Sequence, residues 1–458
     1  MSPTPRIKGP VLLPEHRDYE AVRAIWNGAI DRRPAVIARC LDEDDVADAL
    51  AYARARDLPL SVRGGGHNVA GTALCQGGLL IDLRLMKAIS VDAPRRRVRV
   101  QPGVLLGELD SATQPHGLAV PAGINSLTGV AGLTLGGGLG WLMRRHGLTC
   151  DRLLSARVVL ADGTRTVASA EGDRDLFWAI RGGGGNFGIV TAFEFAAVPI
   201  GPRVLAGAVM HAAEDAGELL RWYRGFAAAA PDELTTVLAL RSAPPAPWIP
   251  AAHHGREVVV VAACWAGELD DGERHLGPLR RFGRPLADCF ATQPFAIHQR
   301  FMDATAPPGW GYHWRSCYTP AWSDAAIDTL VRNAWRKETR QSYTLIAQMG
   351  GAIRRVPDAE TAFAGRQADF AVNINAVWTD LAAGPRDVEW TRAFWTAMEP
   401  HSSGGVYVNF LGEEGAARVR AAYGASWTRL SELKARYDPE NVFRMNQNIR
   451  PAPPARPR

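Results

Sequence analysis

The sequence predicts an α+β protein of two domains with a closing C-terminal segment, and three observations carry that reading. The chain has 458 residues, more than one ordinary hydrophobic core accommodates. The chain has 46 glycines, and the densest clusters of them form three loops before residue 200, each beside a strand or a helix. From 201 to 404 those loops give way to long apolar strands separated by amphipathic helices. We therefore expect a glycine-rich domain over 1–200, an antiparallel sheet with flanking helices over 201–404, and a terminal segment over 405–458.

Taken in order, "PAVIARC" reads as a buried strand. "DEDDVADALAYARARDL" reads as a helix, acidic at its start and arginine-bearing at its end, which complements the helix dipole. "PLSVRGGG" is a strand running into the first glycine loop, and "GLLIDLRLM", "AISVD" and "RRVRVQPG" are short strands after it. "LLGELDSATQPHG" is a helix, followed by a glycine-dense segment from Val120 to Leu148. "LLSARVVLADGTRTVAS" is a hairpin turning at Asp162 and Gly163. "RDLFWAIRGGGGNFGIVTAFEF" reads as helix, third glycine loop, strand. Later, "REVVVVAACW", "SYTLIAQMGGAI" and "DFAVNINAVW" are strands, "SAPPAPWIPAAHH" is a loop and "DVEWTRAFWTAM" is a helix. The tail should hold one strand at "YVNF", one helix and an extended end.

Composition narrows the partners. Net charge is +5 and the basic residues are dispersed; the densest run, "PRRRVRV", alternates with valine as a strand does. No aromatic-rich basic stripe accompanies it, so no nucleic-acid partner is expected. No apolar run approaches membrane-spanning length, and "MSPTPRIKGPVLLPEHRDYE" lacks the apolar centre of a secretion signal. Cys40, Cys75, Cys150, Cys264, Cys289 and Cys317 form no CxxC pair, and His253, His254, His298, His313 and His401 show no ligand spacing. We expect no metal and no membrane, and a cytoplasmic protein with reduced core thiols.

The glycine loops point to a large ligand. Gly183, Gly185 and Gly188 match G-x-G-x-x-G, but a helix precedes them and a strand follows, the reverse of the dinucleotide-binding context. Phosphate-loop and nucleophile-elbow motifs are absent from the sequence. Free amides in glycine loops make concavities suited to a pyrophosphate. In "SVRGGGHN", glycine lets backbone approach closely and His67 stands beside it as a base, ligand or nucleophile.

Four stretches in order, "SVRGGGHN", "PAGINSLTGVAGLTLGGGLGWLMRRHGL", "FWAIRGGGGNFGIVTAFEF" and "YVNF…YDPENVFRMNQNI", resemble the berberine-bridge-enzyme-like oxidases of the vanillyl-alcohol-oxidase superfamily, in their bacterial form. The resemblance spans nearly the whole chain. It implies a two-part FAD-binding domain of the PCMH type, a substrate domain, and a tail returning to the FAD domain. It implies FAD bonded to His67. Cofactor contacts would come from Arg63, Gly64, Gly65, Gly66, Asn68 and Gly71 in the first stretch. The second would add Gly123, Gly129, Gly132 and Leu133, then Gly136, Gly137, Gly138 and Gly140. Gly188, Ile189 and Val190 would follow from the third, and Asn446 and Asn448 from the tail.

The departures are informative. The cysteine of a second flavin bond is replaced by Asn125, so attachment is expected through His67 only, and Cys150 lies too far along to substitute. Thr128 occupies the family's oxygen-gatekeeper place and is close in shape to valine, which favours an oxidase. Arg355 matches the glutamate base of the alkaloid-cyclising members and cannot act as one, so cyclisation is disfavoured. Leu139 replaces a tyrosine frequent in the plant alcohol oxidases. Tyr407 and Asn409 match the tyrosine base and its partner, and a phenol needs a cation or strong donors to serve as base. Asn373, Asn375, Trp378 and Gln348 are candidates for the substrate face, with solvent exposure of the two asparagines as the alternative. The expected activity is removal of a hydride from a CH–OH or CH–NH carbon of a small sugar or secondary metabolite, with O2 reduced to H2O2. The alternatives are a dehydrogenase using another acceptor, or a flavin-bearing protein without turnover. A monomer or homodimer is expected.

Overall fold

A computed structural model describes residues 4–453. Two main sheets lie within the first 200 residues, besides a two-stranded pairing of Leu118–Ala119 with Val198–Pro199. One is four-stranded, in which Val36–Arg39 and Leu60–Arg63 flank Leu79–Asp82 in parallel, with Val11–Leu12 antiparallel at the edge. Parallel strands need a crossover. The helix Glu43–Arg54 supplies it, its N-cap Asp42 accepting from the amides of Asp44 and Asp45. The other sheet is five-stranded and antiparallel, in the order 89–92, 97–100, 189–196, 153–159, 165–169. Its Leu153–Val159 to Arg165–Ser169 hairpin turns through Gly163, whose φ of +89° glycine accepts freely. The helix Arg174–Ile180 precedes the third glycine loop and the strand Ile189–Ala196 follows it, so the inverted order read from sequence holds.

An eight-stranded antiparallel sheet gathers every strand from Arg203 to Trp378. Its strands alternate strictly. Leu238, Leu240, Ile346, Val372 and Ile374 meet the helices Ala216–Ala229, Asp324–Ala334 and Val388–Met398. Val237, Ala239, Tyr343 and Leu345 join the opposite core, which also contains Trp26 and Trp141 of the N-terminal part. The sheet thus has one helical face and one face turned to the glycine loops. Among the described residues no helix is long and apolar enough to cross a membrane.

The tail departs from its expected form. Val408–Phe410 is a single 3-10 turn rather than a strand, and two helices follow, Ala416–Tyr423 and Trp427–Tyr437. Tyr407 Oη is drawn to backbone amides of the 138–139 loop instead of a ladder neighbour, so the segment pairs with no sheet. Beyond the helices, buried Lys434 ion-pairs with Asp438 at 2.5 Å and donates to the carbonyls of Asn186 and Phe443. Asp438 accepts in turn from the amides of Val442 and Phe443. This knot fastens the last residues onto the third glycine loop.

Candidate active site

An elongated cavity runs between the glycine loops and the sheet. Its lining takes in all three glycine loops, the sheet face and the tail, so one extended ligand could touch all of them. Among the described residues, no lysine, arginine, aspartate or glutamate lines it.

Its first end is backbone. Gly65 and Gly129 approach so closely that a Cβ on Gly65 would stand 2.5 Å from the Cα of Gly129. Only glycine allows the two loops to share a wall there. The amides of Gly65, Gly66 and His67 find no acceptor among the described residues. Adjacent free amides of this kind form an anion-binding concavity. Asn446 closes the wall, its amide nitrogen donating to the carbonyl of Gly185 at 3.1 Å while its Oδ1 is buried without a partner. These features fit a dinucleotide whose diphosphate is held by amides rather than by cations.

His67 follows. Its ring stacks on Trp26 at 4.3 Å and 17°, and Trp26 stacks in turn on Tyr312 at 3.8 Å and 16°. Burial pushes the imidazole down to about 4, so the ring is neutral at physiological pH. Its Nε2 is buried with no partner. A neutral imidazole with an unengaged nitrogen is a nucleophile. The loop from Asn125 to Thr128 lies alongside, held to the 3-10 turn Asp303–Thr305 by Ser126, whose amide donates to Asp303 at 2.8 Å. Asn125 folds back on its own loop, accepting from the amide of Leu127 at 2.9 Å.

Tyr407 stands at the other end, 2% exposed. Its hydroxyl oxygen accepts from the amide of Gly138 at 2.9 Å, the amide of Leu139 at 3.4 Å and Asn409 Nδ2 at 2.8 Å. Gly138 aims its N–H there from φ +94°, a conformation in which a side chain would also strike Thr149. Burial pushes the phenol up to about 12, against those three donors, which favour the phenolate. The oxygen is saturated as an acceptor, and its proton has no partner among the described residues.

The cavity lining includes Gly64, Gly65, Gly66, His67 and Asn68 of the first glycine stretch. It includes Gly123, Thr128, Gly129, Gly132, Leu133 and Gly140 of the second. Gly188, Ile189, Val190, Asn446, Tyr407 and Asn409 complete the expected residues found there. Others lie outside that lining. Arg63 is buried away from the cavity, paired with Asp82 at 2.9 Å and donating to the carbonyls of Arg23 and Ala24, which anchors the segment bearing Trp26. Gly71 turns against Ile30, Gly136 against Asn409, and Gly137 against Phe363, so all three serve packing. Gly138 acts through Tyr407, and Asn448 Oδ1 is buried without a partner but outside the lining. Asn409 spends its amide on Tyr407 and on the carbonyl of Leu133, which makes it a positioning residue.

On the sheet, Asn373 and Asn375 are buried and line the cavity, which removes the solvent-exposed alternative. Gln348 and Trp378 have the wrong parity. Gln348 bonds Thr236 and the carbonyl of Ala227 on the helical face, and Trp378 packs on Gly311. Arg355 is mostly exposed and paired with Asp232, well outside the site. Trp26, Trp314 and Tyr343 are not among the residues singled out from the sequence. Strand parity taken from Asn373 would have reached Tyr343 through its register partner Asn375, but no local signal marks Trp26.

Comparison with known proteins agrees with this geometry. A profile for an FAD binding domain matches residues 34–169, and one described as berberine and berberine like matches 406–450. An uncharacterised FAD-linked oxidoreductase of Bacillus subtilis is 31% identical, over 97% of this chain and 98% of its own. The (R)-6-hydroxynicotine oxidase of Paenarthrobacter nicotinovorans is also 31% identical, over 97% of each chain. The crystal structure of 6-hydroxy-D-nicotine oxidase from Arthrobacter nicotinovorans superposes with a TM-score of 0.89 at 29% identity, covering 99% of this chain and 100% of that one. With an FAD-binding domain, a berberine-like tail and full-length similarity to such oxidoreductases, the chain belongs to the berberine-bridge-enzyme-like family of FAD-linked oxidoreductases, and it is an enzyme.

Proposed function

We propose that the protein is an oxidase carrying FAD bonded through His67 alone, which removes a hydride from a CH–OH or CH–NH carbon of a small molecule and passes the electrons to O2, giving H2O2. The observation that carries this is the single cavity joining free glycine-loop amides to Tyr407, with a neutral, unengaged His67 between them. When bound, the flavin supplies a two-electron acceptor. The chain supplies the rest. Glycine-loop amides would hold the diphosphate, and His67, kept neutral by burial against Trp26, is available to form the bond. Asn125, an amide, cannot make a thioether, which supports a single attachment. Tyr407 is the group suited to take the substrate's proton, because its three donors are in place before any charge develops. Thr128, short and branched, supports access for oxygen at the cavity wall.

Two measurements test this. Acid precipitation of the purified protein should leave yellow flavin on the pellet, and His67→Ala should release it to the supernatant. Stopped-flow mixing of the reduced protein with O2 should reoxidise the flavin rapidly with stoichiometric H2O2. Sluggish reoxidation would replace the oxidase reading with a dehydrogenase. We also infer a cytoplasmic protein, supported by six unpaired cysteines, five of them buried. Thiol titration after non-reducing denaturation should count all six.

A further inference from the structure

The substrate end of the cavity has a polarity that its own hydrogen bonds dictate. Asn375 Nδ2 donates to the carbonyl of Asn373 at 2.7 Å and to that of Tyr343 at 3.3 Å. Carbonyls only accept, so the Asn375 amide cannot be turned over. Its Oδ1 must therefore face Asn373 Nδ2, 3.0 Å away. That fixes the second amide too, leaving Asn373 Oδ1 buried, 1% exposed as a residue, and without a donor. One strand over, Trp314 is the register partner of Asn375, and its Nε1 is a buried donor without an acceptor. Apolar residues of the same cavity lining include Val237, Leu345, Ala347, Leu139, Met302 and Phe410.

Resting on the oxidase reading, we propose that the substrate is a neutral, largely apolar ring compound whose hydroxyl or N–H donates to Asn373 Oδ1. A carboxylate or ammonium would enter a cavity with no counter-ion among the described residues. An oligosaccharide carries several hydroxyls on every ring. Besides the Tyr407 hydroxyl, the sheet wall answers, among the described residues, with one buried open acceptor and one buried open donor, so most of those hydroxyls would be desolvated without replacement. A buried acceptor left empty is disfavoured, so a ligand that fills it is preferred to an otherwise equal one that cannot.

The test is a binding series on the flavin-loaded protein, read by perturbation of the visible flavin spectrum and by titration calorimetry. The probes are 2-naphthol, 2-methoxynaphthalene, 2-naphthoate and maltotriose. We expect 2-naphthol to bind about tenfold or more tighter than its methyl ether, with naphthoate and maltotriose weaker than naphthol. Asn373→Leu should erase the difference between naphthol and ether while flavin content is retained. Should that variant fail to fold, the wild-type series alone decides. Equal binding of naphthol and ether, tightest binding of naphthoate or maltotriose, or no binding of any naphthalene at millimolar concentration overturns the proposal. Binding needs no turnover, so the two readings fail separately. A naphthol preference without H2O2 from any substrate would remove the oxidase reading alone, and H2O2 from an oligosaccharide would remove this one alone.

Discussion

The two ends of the cavity are made of different material. The end at Gly65 and Gly129 is backbone, its recognition carried by free amides that no side chain crowds. The end at Tyr407 is side chains, projected from a sheet face and a single 3-10 turn. Burial acts on both and drives the two titratable groups in opposite directions, His67 down to about 4 and Tyr407 up to about 12. Each is neutral at physiological pH. For an imidazole, neutrality is the reactive state; for a phenol it is the resting one. The same desolvation therefore readies one group and restrains the other, and of the two titratable groups only Tyr407 needs donors to reach its reactive form.

The sharpest way to break this contrast is Tyr407→Phe. If the phenol takes the substrate's proton, anaerobic flavin reduction should slow by roughly 10²–10⁴-fold, while the pellet-bound flavin is unchanged. A near wild-type rate would return Tyr407 to a packing role. Next in size is Arg63→Ala, which removes a buried ion pair and the two bonds to the segment before Trp26. Arg84 still holds Asp82, so we expect the lower end of the usual cost, about 3 kcal/mol. The thermal midpoint should fall by several degrees, with substrate binding largely spared.

A smaller effect is expected for Asn409→Ala. It removes one donor that favours the phenolate, so the Tyr407 pKa should rise and the alkaline limb of the reduction profile should move up by about one pH unit. At a fixed pH below that limb the rate should fall about tenfold. A rate loss without displacement of the limb would separate Asn409 from the proton transfer. The smallest expected effect is none. With its imidazole down at about 4, His67 stays neutral as pH falls from 8 to 5.5, and flavin attachment to apoprotein should not slow on that account. An ordinary histidine would lose about tenfold of its neutral form over that range.

Legibility followed the same division. The three glycine loops, the strand entering the first of them and the helix-then-strand order around the third could be read directly, because close backbone approach selects glycine regardless of what lies opposite. Asn373 and Asn375 were reachable because a strand alternates with period two. Gln348 and Trp378 failed by the same rule, applied without knowing which parity faced the cavity. Arg63 looked like a cofactor contact because it adjoins the glycines, yet strand alternation turns it to Asp82. The form of "YVNF" was not legible: valine and phenylalanine favour strands, and only contact with the amides of Gly138 and Leu139 holds the segment as a turn.

By itself the sequence determined the α+β class, the elements of the glycine-rich part, the inverted loop that excludes a Rossmann site, and His67 as the residue beside the glycines. Those features are local, since periodicity, capping and glycine's lack of a Cβ act within a few residues. Tertiary structure alone decided that Trp26 stacks on His67, that three donors converge on Tyr407, and that Asn373 is left with an open acceptor. Each depends on partners up to hundreds of residues away, such as Gly138 and Tyr407, which are separated by 269 positions in the chain. A side chain's burial and its unmet hydrogen bonds exist only once those partners have met, and at this site burial is what sets the chemistry.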